Sequence, residues 1–416
     1  MQAHQVEELF LGLAVILVLA KVLGMLASRI GQPPVIGEIV AGIAIGPTLF
    51  HGQIAATLFP TEIRPLLASL ANVGLALFMF IVGCELEHAI VAERKRVPIS
   101  VSLGSTVLPF AMGSALALYL FSSHGGQNNK LGFVLFFGAS MSVTAFPVLA
   151  RILSDRGMNR TQVGAVALAS AAVSDVLAWS LLAVAVTVSG GTGQWKTLLL
   201  PPFVALLFLV VRPLLARLSA AHLERGKAAS ELLVPVVVGL FLCSWATEWM
   251  GVHFIFGAFL FGAIMPRDGI DGVRQQITTR LEPATTVVLL PIFFVVAGFK
   301  VDLSDLGSSA WGQLALIMFV AVTGKMAGAY FGARLQGVPN REAGVLATLM
   351  NTRGLTELVI LSVGLQLGFL DEQLYSLMVV MAVVTTMMAG PLLSALYPRE
   401  QVERDAAELA AASSPS

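Results

Sequence analysis

Charge is what this sequence has least of. Of 416 residues only 12% are Asp, Glu, Lys or Arg, against about a quarter in an ordinary soluble domain. A soluble chain of this length has no use for the 56% that are apolar, even with a large core. Cysteine is scarce too. Cys84 and Cys243 each lie inside an apolar run and read as small core residues. The six histidines fall mostly near the ends of apolar runs or between them, and no H-x-x-x-H or serine–histidine pairing lies within a run, which argues against an intramembrane enzyme. No G-x-x-x-x-G-K-[ST] loop is present, so neither a bound nucleotide nor any other cofactor is expected. Net charge is zero, and nothing points to nucleic acid. The first apolar run lacks a basic leader and a small-residue cleavage site, and so reads as a retained span.

What is there is a series of long, uninterrupted apolar runs. A helix crossing a bilayer needs about 20 such residues. Backbone groups in hydrocarbon must be satisfied internally, which leaves helices or a closed barrel. The runs lack the short alternating segments of a barrel, so the fold class is all-α and polytopic. Thirteen spans are placed at 6–28, 34–50, 65–86, 97–120, 130–152, 162–188, 196–216, 232–250, 252–266, 284–300, 311–334, 342–366 and 373–397, with twelve as the alternative because the second and ninth are short and the break at Trp249–Met250–Gly251 is tight. The tail from 398 to 416 is Ala- and charge-rich and too short for a domain. With this count, most Lys and Arg fall on one side, among them Arg29, Arg94, Arg151, Arg156, Arg217, Arg280, Arg341 and Arg399. The other side keeps only Arg64, Lys130, Lys196 and Lys300. The positive-inside rule then puts the N-terminus outside and the C-terminus in the cytoplasm of a cell with an inner (plasma) membrane.

The chain also echoes itself. Gly31, Gly37, Gly42 and Pro47 in GQPPVIGEIVAGIAIGP are matched by Gly251, Gly257, Gly262 and Pro266 in GVHFIFGAFLFGAIMP. The first stretch opens span two and the second span nine, an odd step that gives two halves of opposite topology, as in many secondary transporters. Corresponding spans of the two halves carry disrupted helices. SMSVTAFPVLARIL places Thr144 and Pro147 inside span five, and proline lacks an N–H and clashes with the carbonyl four residues back. TLMNTRGLTEL places Asn351, Thr352, Arg353 and Gly354 inside span twelve. Broken helices offer half-helix ends that hold ions at mid-membrane.

Asp175, in ALASAAVSDVLAWSLLAV, is the sharpest residue. An ionised carboxylate in hydrocarbon is costly and needs water, a cation or a proton. A proton and a cation would exclude each other there, with Ser174 and Thr144 adding neutral oxygens suited to K⁺ or Na⁺ as the only metal. Lys325 is the second embedded charge; it pairs with Asp175 or a helix end, and carries a proton or braces the broken helices. Arg353 reads as a fixed counter-charge, because guanidinium stays protonated. Glu357, four residues on, is placed to pair with it on one helix face. Asp155 and Glu85 are candidates for an access route or pH-sensing cluster. Glu38 reads as a polar residue at a bundle interface, and His253 as structural.

GQPPVIGEIVAGIAIGP, GASMSVTAFPVLARILSDRGM, ASAAVSDVLAW, LEPATTVVLLPIFFVVAG, TGKMAG and NTRGLTEL together resemble the monovalent cation:proton antiporter-2 family, nearest the plant and fungal cation/proton exchangers. The likeness runs from the first span to about 397. It implies thirteen helices with two crossed broken ones in a homodimer. An ion-binding core at 97–188 and 311–397 would move against a scaffold at 6–86 and 196–300. Asp175 would be the ion-binding aspartate, with Ser174 before it and Lys325 the core lysine. The expected function is exchange of K⁺ or Na⁺ for protons by alternating access, among membrane lipids and without nucleotide. A channel-like or regulated potassium efflux protein and a proton-coupled carrier of a small organic solute stay open as alternatives.

Overall fold

The computed structural model describes residues 3–49, 52–85, 96–125, 129–158, 161–188, 196, 199–224, 229–266, 271–304 and 307–405. Every regular element among them is helical. In chain order these are α1 Ala3–Arg29, α2 Pro34–Ile45, α3 Gln53–Leu58, α4 Arg64–Glu85, α5 Arg96–His124, α6 Lys130–Ser142, α7 Phe146–Asp155 and α8 Gln162–Val188. There follow α9 Leu200–Leu206, α10 Arg212–Glu224, α11 Leu233–Trp249, α12 Phe254–Ala263, α13 Asp271–Ala284 and α14 Leu290–Gly298. The last four are α15 Ser308–Arg334, α16 Asn340–Met350, α17 Leu355–Gln366 and α18 Glu372–Leu396.

Eight described helices are long and apolar enough to cross a membrane, and the shorter apolar helices fill the remaining places of a thirteen-span fold. The short second and ninth spans shrink to α2 and α12. Span ten starts earlier than hydropathy suggests. Asp271–Ala284 carries Arg274, Arg280 and Glu282, whose charge hides a helix that continues straight out of the apolar stretch.

Two stretches widen from α into π geometry, and both have the same cause. Leu207–Val211 and Thr285–Leu289 wind as wide π turns, in which Arg212 N–H reaches Leu207 O and Leu290 N–H reaches Thr285 O. Each is followed at once by a proline, Pro213 or Pro291. Proline cannot donate to the carbonyl four residues back and crowds it, and a π turn moves that carbonyl aside.

The chain forms two compact units. One comprises 1–18, 56–88 and 190–296; the other comprises 19–55, 89–189 and 297–416. In the first, α4, α11 and α12 pack closely, and a Cβ on Gly83 would strike the Phe259 carbonyl. In the second, α5 and α15 form the most extensive helix pair. Gly324, Gly328 and Gly332 recur every four residues along α15, and Gly104 and Gly328 each leave room for the other's carbonyl. Without a hydrophobic drive in lipid, such close backbone approach supplies the packing energy.

The internal echo is carried into local geometry. Gly31 (φ 73°) and Gly251 (φ 80°) end the helices before α2 and α12. Gln32 N–H bonds to Ala27 O at 2.9 Å, and Val252 N–H to Thr247 O at 2.9 Å, the long bond of a Schellman cap. A Cβ on Gly37 would collide with Leu23 O, and one on Gly257 with Cys243 O. Both contacts reach back the same number of residues.

Candidate ion-exchange site

Two interrupted helices meet inside the second unit. α6 stops at Ser142, Val143 and Ala145 are extended, and α7 restarts at Phe146 with Pro147 in its first turn. A missing N–H costs nothing there, because first-turn donors have no helical partner. α16 stops at Met350, and the chain re-enters helix at Leu355 through Gly354, whose φ of 145° and ψ of −117° suit glycine alone. The breaks touch. Ala145 N–H donates to Thr352 O at 3.2 Å, and the Thr144 hydroxyl to Met350 O at 3.2 Å.

The end of α6 exposes carbonyls with no helical donor, at the negative pole of the helix. Two buried cations take them. Arg353 donates to Ser140 O at 3.2 Å and to Met141 O at 2.7 Å, and Lys325 donates to Ser142 O. Arg353 also holds Glu357 at 2.9 Å, with both side chains fully buried. Its backbone N–H donates to the Thr386 hydroxyl at 3.1 Å.

Lys325 has a second partner that the sequence explains. Its ammonium donates to Ser105 O at 3.0 Å. Within α5 that carbonyl would take the N–H of residue 109, and residue 109 is proline. Pro109 thus frees a carbonyl in the middle of α5, and Lys325 on the facing helix fills it.

Asp175 sits in α8 at 1% exposure, and neither of its carboxylate oxygens has a hydrogen-bond partner in the protein. The preceding Ser174 hydroxyl shares a hydrogen bond with Ser102 at 3.0 Å and approaches Ser105 at 3.5 Å. The Lys325 charge acts on Asp175 through space, yet its donors go to carbonyls. Of the two partners the sequence offered Lys325, the structure places it on a helix end. Leaving a bare carboxylate inside protein costs several kcal/mol even after relaxation, a large share of the roughly 5–15 kcal/mol that holds a domain together. The group is discharged by a proton or matched by a cation.

The model of the family described as "Sodium/hydrogen exchanger, transmembrane" matches residues 14–397, nearly the whole chain. The chain belongs to this sodium/hydrogen exchanger family. The Na(+)/H(+) antiporter NhaS4 of Synechocystis is 38% identical over 92% of this chain and 96% of its own length. Cation/H(+) antiporter 17 of Arabidopsis thaliana is 36% identical over 95% of this chain, which spans about half (49%) of that protein. The sodium proton antiporter MjNhaP1 of Methanocaldococcus jannaschii shares the fold at 15% identity, with a TM-score of 0.68 over 97% of this chain and 99% of that one. As a family member the chain is a multi-pass membrane protein and a secondary active monovalent cation/proton antiporter, and its two broken helices are the crossed pair of that fold.

Among the sequence candidates, Thr144, Thr352 and Gly354 lie at the crossing, with Asn351 capping α16. Lys325, Arg353 and Glu357 are tied to its helix ends, and Ser174 and Asp175 lie beside them on α8. The side chains of Glu85, Pro147 and Asp155 fall outside the described residues. Glu38 is half-buried on α2. His253 precedes α12 with its ring 4.5 Å from that of Phe254. Cys84 and Cys243 are buried. Among the described residues, no three His, Cys, Asp or Glu gather into a metal cluster. Sequence reasoning missed Ser102, Ser105 and Pro109. Their signal was a run of small hydroxyl residues, SVSLGST, ahead of a mid-span proline.

Proposed function

We propose that Asp175 is the single carrier that proton and cation occupy in turn. The observation that supports this is its buried carboxylate, with both oxygens unpartnered, beside the linked hydroxyls of Ser174, Ser102 and Ser105. Facing one side, Asp175 exchanges its proton for K⁺ or Na⁺; after the core moves it releases the cation and takes a proton from the other side. With protons flowing inward, the cation leaves the cell. Ser174 and Thr144 are proposed as neutral oxygen ligands. Arg353, Glu357 and Lys325, with Pro147, Asn351, Thr352 and Gly354, hold the crossing in shape. Asp155 and Glu85 are proposed to line the access route. The moving part is proposed as 97–188 with 311–397, working against 6–86 with 196–300 in a homodimer. It lies in the inner membrane with the N-terminus outside and the C-terminus inside. Exposed apolar side chains such as Leu209 and Phe319 face lipid.

Proteoliposomes with an imposed pH gradient test the carrier. Added Na⁺ or K⁺ should dissipate the gradient with wild-type protein, also with membrane potential clamped, and should not with Asp175→Asn. Asparagine keeps the shape and removes the charge, so folding should survive. Undiminished exchange in a folded Asp175→Asn protein would sink the assignment.

A further inference from the structure

A cavity of about 670 Å³, whose lining does not include Asp175, lies within the second unit where α7, α18 and the turn before α2 come together. Its volume is in the range of small-ligand sites. Its lining is strongly one-signed. Arg151, Arg156 and Arg399 contribute three guanidinium groups, Ser28, Thr386 and Ser394 contribute hydroxyls and Gln32 an amide, and none of the described lining residues is acidic. We propose that this cavity binds a phosphate-bearing anion, held by the guanidinium groups of Arg151, Arg156 and Arg399.

The cavity wall is built around a proline. Pro391 inside α18 leaves the carbonyl of Met387 without its helical donor, and Gln32 Nε2 donates to it at 3.2 Å. Arg156 reaches the same stretch, donating to Gly390 O at 2.8 Å and to Ser394 Oγ at 3.1 Å through one terminal nitrogen. Its position is thereby fixed while its remaining donors face other directions. Burial, and then repulsion from Arg399, push the Arg156 guanidinium below its usual range. An anion between the two would relieve that repulsion. Glu38 on α2 acts on Arg151 through space and offsets part of one charge of the three.

The same charges oppose the transported ion. Three guanidinium groups of like charge disfavour a further cation, so this is no resting place for Na⁺ or K⁺. Planar guanidinium groups match phosphate oxygens in paired, charge-assisted hydrogen bonds. Thr386 also lines the cavity and bonds to both the N–H and the carbonyl of Arg353, so the bound anion would lie one side chain from the helix crossing. It would tie together α7, α18 and the turn before α2.

The phosphate can be dissolved in water or carried on a lipid headgroup, and two arms of one experiment separate these. Full-length protein in phosphatidylcholine nanodiscs is heated over a series of inorganic phosphate concentrations, against chloride at equal ionic strength. A second series adds phosphatidylglycerol and no phosphate. A saturable rise of the unfolding midpoint with phosphate identifies a water-borne ligand, and a rise with phosphatidylglycerol alone identifies the headgroup. In either case Arg399→Gln and, separately, Arg151→Gln should weaken the response about tenfold. Both side chains are exposed, so the variants should fold. The absence of any shift in both arms, or an equal response from wild type and both variants, overturns the proposal. The test does not depend on Asp175 and reads binding even if its assignment as carrier fails.

Discussion

The two broken helices reach the same shape by different chemistry. In the α6–α7 pair the break coincides with Pro147, and its linker is plain extended backbone. In the α16–α17 pair the break depends on Gly354, at a dihedral angle that other residues avoid and with Val148 Cγ2 2.9 Å from where a Cβ would stand. Their ends differ as well. The last carbonyls of α6 are met by the cations Arg353 and Lys325. The Met350 carbonyl at the end of α16 receives the neutral Thr144 hydroxyl. Inverted halves can share a backbone trace and still place their charge on one side only. Here the second half supplies Arg353 to cap the first, and among the described residues the first returns no cation.

That asymmetry predicts where the crossing is most fragile. Arg353→Met should be the most damaging change, because it removes a charged donor from two carbonyls and strands Glu357 as a buried charge. Removing one member of a buried pair costs about 3–5 kcal/mol, so the unfolding midpoint in detergent should collapse, and pairing it with Glu357→Gln should recover part of the loss. Recovery to the wild-type midpoint would mean that capping α6 contributes nothing. Gly354→Ala comes next, at about 1–3 kcal/mol for the strained dihedral. Adding Val148→Ala relieves the crowding but not the backbone, so its rescue should be incomplete; full rescue would refute the backbone argument. Lys325→Met is the mildest, at about 1 kcal/mol net, since it loses two hydrogen bonds but also removes a buried charge. Its more telling readout is transport. If Lys325 only braces the helix end, the cation-to-proton ratio in proteoliposomes stays as in wild type, and a changed ratio assigns it a proton.

The span pattern was legible because hydrocarbon demands apolar length, and Pro147, Gly354 and Asp175 stand out against such a background. Glu357 four residues after Arg353 was expected to pair with it on one helix face; the structure puts them 2.9 Å apart, but with Arg353 in the break before α17 and not on the helix. Other features were hidden. The polar start of α13 carries no hydropathy signal. Ser102 and Ser105 look like ordinary small residues of a membrane helix until α8 is laid against α5. The link from Pro109 through Ser105 to Lys325 joins residues far apart in the chain, and only a facing helix turns a lost hydrogen bond into a binding place for an ammonium group.

By itself the sequence determined the all-helical membrane class, the two breaks and the few charges worth explaining. Each of these follows from local rules: the length that spans a bilayer, the donor that proline lacks, the dihedral angles that glycine permits. Tertiary structure decided how the charges were spent. It gave Arg353 and Lys325 to the end of α6, left Asp175 without a protein partner, and gathered Arg151, Arg156 and Arg399 around one cavity. A charge buried in a medium of low dielectric is governed by whichever groups lie within a few ångströms of it, and those neighbours come from other helices.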